Sequence, residues 1–129
     1  MTAKSAVTSR KGAPVKFLML ASAGHVREAY DACVAPGFRH HNPYFAGDAE
    51  ALAAAMAENA AQNPHKTLDV LRALEDGDLV AVNSRVRLKP EGPVVALVHI
   101  FRFVRDHIVE LWDIAQPVPT DSPNIYGMF

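Results

Sequence analysis

Hydrophobic and polar positions alternate most regularly between Val94 and Gln116, in the stretch VVALVHIFRFVRDHIVELWDIAQ. Side chains on a strand point to opposite faces in turn, so this stretch predicts two strands joined by a tight turn at Val104-Arg105-Asp106. Val95, Leu97, His99, Phe101 and Phe103 share one face of the first strand, and His99 is its only polar member. Val109, Leu111, Asp113 and Ala115 share a face of the second, where Asp113 is the only polar member. The turn decides whether these two faces coincide. A three-residue loop with Asp106 in the left-handed position pairs Phe103 with His107 and sets Leu97 opposite Asp113. His99 then becomes the diagonal neighbour of Asp113, ~7–8 Å away on the same face. A two-residue loop would put the two on opposite sides. The three-residue loop is the expectation, and it sets an acid and a base in one apolar wall.

The pattern changes character along the rest of the chain. Residues 1–14 are small and polar and read as a disordered lead-in to one domain over residues 15–129. Phe17, Leu18, Leu20 and Ala21 predict a short helix ending at Gly24. Val26, Ala29, Tyr30 and Cys33 recur at helical spacing in a second helix, which stops at Ala35-Pro36-Gly37. Phe38 to Asn42 is a short extended segment, since Pro43 pushes its predecessor out of helical geometry. Asp48 caps a third helix, Ala49 to about Asn59, with Leu52, Ala55, Met56 and Asn59 along one side. Strands follow at Thr67–Leu74 and Leu79–Leu88, separated by the turn Glu75-Asp76-Gly77-Asp78. The tail from Pro117 to Phe129 lacks periodicity and should lie over the surface, where Met128 and Phe129 are candidates to plug a pocket mouth. Helices first and an antiparallel meander after them make an α+β domain.

The face opposite His99 and Asp113 is also apolar, with Val94, Ala96, Val98, Ile100, Ile108, Trp112 and Ile114. A sheet with one wet side would not carry such a face. Three helices cover one side only, so the other side is expected to meet a second copy. The expectation is a homodimer through the Trp112 side, with Arg102 and Glu110 as a rim pair.

Bulk properties then narrow the function. With 129 residues the chain can bury a core. A net charge of -1 without a basic block argues against nucleic acid or a membrane surface as partner. The single cysteine, Cys33, forms no intramolecular disulfide and is expected to be a small buried apolar residue. The run Val15–Leu20 is broken by Lys16, is too short for a bilayer, and is followed by no small-residue cleavage site. A cytoplasmic protein is expected.

Several short motifs in fixed order resemble a known family. They are His41-Asn42-Pro43, Gly77-Asp78-Leu79-Val80-Ala81-Val82, Ile100-Phe101-Arg102, and Ile108-Val109-Glu110-Leu111-Trp112-Asp113-Ile114. Gln116-Pro117-Val118-Pro119 and the terminal Met128-Phe129 complete the set. Together they span residues 38–129 and resemble the SnoaL-like, polyketide-cyclase-related group of the nuclear transport factor 2-like superfamily. The resemblance implies a cone of N-terminal helices packed on a curved antiparallel sheet, with a pocket between them. It implies aldol-type cyclisation, isomerisation or dehydration of a small apolar carbonyl compound, with no metal or organic cofactor required. The chain departs from the family pattern at His99, where acidic residues are common, and at Asn83 and Leu111, where histidine is common.

The candidate site follows. Asp113 is the leading general base, because loss of solvation moves a carboxylate toward the working range of a base. His99 orients it, shuttles its proton or polarises a carbonyl. His41 is expected at the pocket mouth as a third catalytic residue, with His40 pointing the other way and retained as a secondary pocket contact. Asn42 and Tyr44 are candidate hydrogen-bond donors to an oxyanion, and Leu97, Phe101 and Leu111 candidate apolar walls. No metal site is expected, because tight histidine spacing is lacking. The alternative reading is a non-catalytic small-ligand binder or dimeric adaptor on the same cone, with His99 and Asp113 closed on each other and no cavity beside them.

Overall fold

A computed structural model describes residues 9–129; what was expected of residues 1–8 lies outside the described residues. Helix α1 spans Gly12–Ser22 and α2 Val26–Cys33; strand β1 spans Val34–His40 and helix α3 Ala49–Gln62. Four strands follow: β2 (Thr67–Asp76), β3 (Leu79–Arg87), β4 (Val94–Val104) and β5 (His107–Pro117). They form one five-stranded sheet in the order β1-β5-β4-β3-β2. The meander β2 to β5 is antiparallel, as the sequence implies. β1 joins its edge parallel to β5, and this pairing corrects the expectation of a purely antiparallel sheet.

Local chemistry explains most boundaries. The Asp48 carboxylate accepts a hydrogen bond from the Ala51 amide at 2.8 Å and starts α3 as expected. Gly77 opens the two-residue β2–β3 turn at φ 60, a conformation that costs glycine little. The first helix begins earlier than expected, at Gly12, because Pro14 fits a first helical turn, where its missing amide is not required. Ser9 and Arg10 are also tied down, to the carboxylate of Glu75 and the carbonyl of Gly77.

All three helices pack on one face of the sheet. Phe17, Leu18, Val26, Ala29, Tyr30, Cys33 and Leu52 meet Phe38, Val80, Val82, Phe101, Phe103, Ile108 and Leu111 in one core. Edge-to-face rings join α1, α2 and the sheet, with Phe17 5.2 Å from Tyr30 and 6.0 Å from Phe101. Cys33 is buried at the end of α2, as its sequence context implies.

The β4–β5 turn differs from expectation. Val104 pairs with His107, so the loop has two residues, and Arg105 rather than Asp106 takes the left-handed conformation, at φ 54. His99 and Asp113 nonetheless share the inner face. Phe103 pairs with Ile108 but Arg102 with Glu110, so Val109 is an extra residue that advances the ladder by one. The two-residue turn pairs Ile108 with Phe103 and so turns it into the core, not onto the outer face where a dimer contact was expected. The C-terminal tail runs irregularly over the surface. Phe129 ends over the Arg85 guanidinium, 5.5 Å from the ring centroid, on the outer face rather than at the pocket mouth.

Candidate active site between the third helix and the sheet

The core closes tightly where Phe17, Phe101 and Phe103 meet. Toward the other end of β4 and β5 the inner side chains are Val95, Leu97 and Ala115, and those of α1 are Leu18, Ala21 and Ser22. These are too short to reach α3. A cavity of about 370 Å³ remains, lined by those residues with Met56, Leu68, Val86, Leu88 and the polar groups of Asn42, Tyr44, Asn59, Lys66, His99 and Asp113. An adjoining cavity of about 380 Å³ continues along α3, past Leu52, Ala55 and Phe45, and shares Asn42, Lys66 and Asp113. A few convergent polar groups in a mostly apolar hollow is the usual composition of a small-molecule site.

Its floor is set by strand register. His99 pairs directly with Asp113, closer than the diagonal expected. Asn42 Nδ2 donates to Asp113 Oδ2 at 3.0 Å, which fixes the carboxylate and leaves its other oxygen unpartnered. Asp113 Oδ1, His99 Nδ1 and Ser84 Oγ are all buried without a hydrogen-bond partner. Buried polar atoms are rarely left so; two of these belong to cavity-lining residues, Asp113 and His99, and mark where a polar ligand atom would be held, whereas Ser84 lines neither cavity. Burial pushes the His99 imidazole down to about 4, with Asp113 opposing that shift, so the ring is neutral at pH 7. Among the described residues, the Tyr30 hydroxyl donates only to the Met56 sulfur, at 3.6 Å. Burial raises its pKa, Arg27 lowers it, and the Asp113 charge raises it further, so it stays a donor.

The two histidines of the β1 segment are reversed relative to expectation. β1 aligns Arg39 with Glu110 and His40 with Leu111, and the His41 amide donates to the Leu111 carbonyl at 2.9 Å. Alternation then turns His40 and Asn42 inward and Arg39 and His41 outward. His40 is buried beside Phe38, its Nε2 2.6 Å from the Ala46 carbonyl, and its Nδ1 accepts from the Asn42 amide. It braces the Asn42 loop and lines neither cavity. His41 stacks on Trp112 with ring centroids 4.9 Å apart, and its Nε2 lies 2.6 Å from Glu110 Oε2. It lines a hollow of about 570 Å³ that shares Asn42, Tyr44, Val95, Leu97, Asp113 and Ala115 with the first cavity, so it stands at the mouth with its Nε2 engaged by Glu110.

Of the expected apolar walls, Leu97 lines the cavity, whereas Phe101 and Leu111 are fully buried beneath it. Asn42 and Tyr44 line it as expected. Lys66, Asn59 and Ser84 escaped the sequence reading. Ser84 was legible as the polar member of the Val80-Val82-Ser84-Val86 face; Lys66 sits between elements and carried no signal.

Glu110 was expected at an exposed rim but is 4% exposed. It binds Arg102 Nε at 2.9 Å and Arg39 Nε at 3.0 Å, besides His41. Hydrogen bonds from Arg39 and then His41 hold its pKa down at about 2 against the opposing effect of burial.

Comparison with known proteins places this arrangement. No curated protein matches the chain. Among solved structures it is similar to a nuclear transport factor 2-like protein of unknown function from Burkholderia xenovorans, with a TM-score of 0.71 at 15% identity over 88% of this chain and 87% of that one. It is similar to AclR, a hydroxylase candidate from Streptomyces galilaeus, with a TM-score of 0.70 at 19% identity over 83% and 78% of the two chains. It is also similar to IdmH, a polyketide cyclase candidate from Streptomyces antibioticus, with a TM-score of 0.67 at 23% identity over 84% and 93%. These likenesses show a shared α+β fold. The SnoaL-like domain model matches residues 16–111, and the chain belongs to that family.

Proposed function

We propose that this protein is a small-molecule enzyme that uses cofactor-independent acid–base catalysis on an apolar carbonyl compound, in aldol-type cyclisation, isomerisation or dehydration. The observation that supports this most is the pairing of Asp113 with His99 in an apolar cavity, with Asp113 Oδ1 and His99 Nδ1 both unpartnered. Among the described residues the two side chains share no hydrogen bond, since Asp113 Oδ2 is taken by Asn42 and Oδ1 by nothing.

Asp113 acts as the base. Its Oδ2 is held by Asn42, so Oδ1 takes the proton from the carbon next to the substrate carbonyl. The electrons of the broken C–H bond move into the enolate. His99, a neutral imidazole, donates its N–H to the enolate oxygen, and no charged ring is needed. In a cyclisation the enolate carbon attacks a second carbonyl of the same molecule, and the new alkoxide takes back the proton held by Asp113. In an isomerisation the proton returns to a different carbon. The apolar walls keep water from quenching the enolate.

The test is solvent-deuterium exchange at the α-carbon of enolisable aryl ketones, followed by NMR. The full chain accelerates exchange, and Asp113→Asn lowers it at least a hundredfold with an unchanged thermal transition. Exchange undiminished in Asp113→Asn overturns the mechanism, and no acceleration by the natural chain favours a non-catalytic binder.

A homodimer through the outer sheet face belongs to the same reading, as does residence in the cytoplasm. No described helix covers that face, where Val98 is 36% and Ile114 64% exposed beside Ile100 and Trp112. A second copy fits because it would bring an equally apolar face, and the Arg39 and Arg102 charges beside that face are already matched within the chain by the buried Glu110. For the location, the supports are that the sole cysteine is buried and free, and that no described helix is long and apolar enough to cross a membrane.

A further inference from the structure

The geometry points to Lys66 as a specificity-determining residue that recognises a carboxylate on the substrate, so that the ligand is an apolar carbonyl compound bearing an acid group. This rests on the pocket being the substrate site described above. Lys66 stands between α3 and β2, and its side chain lines both adjoining cavities. Among the described residues, neither cavity has another lysine or arginine on its wall. Its Nζ donates to Asn59 Oδ1 at 2.7 Å, a neutral partner. Among the described residues, no carboxylate lies within ion-pair distance of it. Glu58, which borders the outer cavity, instead accepts a hydrogen bond from Gln62 at 3.1 Å.

A half-buried ammonium without a counter-ion is an unfavourable thing to keep in an apolar hollow. Burial lowers its pKa, with no opposing carboxylate to restore it. A ligand acid would supply the missing charge where solvent is already thinned, and charge-assisted hydrogen bonds are strongest in such places. One amide oxygen, from Asn59, holds the ammonium and leaves its remaining protons for a ligand. The cavity thus has an enolising pole, at Asp113 and His99, and an anion pole at Lys66. A substrate held at both has its α-carbon positioned by its own acid group.

The probes are 2-naphthoate and its methyl ester, which differ chiefly in charge, titrated by calorimetry into the full chain at pH 7. The acid is expected to bind at least tenfold tighter than the ester. Lys66→Met should abolish that preference while keeping ester affinity within twofold, and Lys66→Arg should retain it. Should Lys66→Met lose its native thermal transition, Lys66→Gln takes its place with the same readings. Equal binding of acid and ester to the natural chain overturns the assignment. So does an acid preference that survives in Lys66→Met, or no binding of either probe at millimolar concentration. Asp113→Asn separates this inference from the mechanism, because it should stop proton exchange and keep the acid preference. Exchange that depends on Asp113 without any acid preference removes Lys66 alone. An acid preference with exchange independent of Asp113 removes the base alone.

Discussion

His99 on β4 stands directly opposite Asp113 on β5, and Val109 is the reason. The two-residue turn in a regular ladder would set Trp112 against His99 and send Asp113 outward. One extra residue at Val109 shifts the pairing and returns Asp113 to the cavity. Bulges re-aim side chains in this way at many sites.

Removing the bulge residue should therefore be tolerated. Deletion of Val109 leaves every pair from Arg102–Glu110 onward in phase and should cost about 1–2 kcal/mol, in the ordinary range for one substitution. Deletion of Trp112 instead reverses the faces of Asp113 to Pro117 and should lose both stability and proton exchange. Urea denaturation with the exchange assay checks both; equal effects of the two deletions would contradict the bulge account.

His99 makes stability depend on pH. Its folded-state pKa of about 4 lies below the ordinary imidazole value of 6.5, so the unfolded chain binds more protons between those values. The stabilisation is complete above pH 6.5 and is lost as pH falls toward 4. Denaturation midpoints measured from pH 8 to 4 should decline in this window, and His99→Gln should flatten the decline. A slope unchanged in His99→Gln would assign the effect to another group.

The outer-face cluster gives a second, lower window. Glu110 falls from 4.5 to about 2, so its contribution is present above pH 4.5 and lost between 4.5 and 2. Glu110→Gln should remove that window and cost roughly 1–3 kcal/mol at pH 7, the scale for a buried charged partner removed while exposed arginines regain water. His41→Ala, on the same face, should leave α-proton exchange within twofold. A loss as large as that of Asp113→Asn would return His41 to the catalytic group.

The outer face should respond to charge. Ile114→Lys places an ammonium at the centre of the proposed dimer contact and should yield monomers by light scattering at micromolar concentration, with the fold intact. A natural chain that is already monomeric there would end the dimer proposal.

Much of this was written locally. Period-2 alternation placed His99 on an apolar inner face, the Asp48 cap began α3, and Gly77 marked its turn, because each depends on neighbours a few positions away. Placing Asp113 on that same face was right by way of a wrong turn. The parity of His40 and His41 was also legible in part: Phe38, His40 and Asn42 share a face by alternation, and Phe38 is the apolar member that had to turn inward. Three features belonged to tertiary structure alone: the Val109 bulge, the parallel register of β1 on β5, and the approach of Lys66 to the cavity. The bulge is settled by which side chains the helices must bury, and the register by strands far apart in the chain. Asn42 and Asp113 are 71 positions apart, and only the folded sheet brings them within 3.0 Å. Alternation fixes which residues can share a face; pairing across the sheet decides which of them meet.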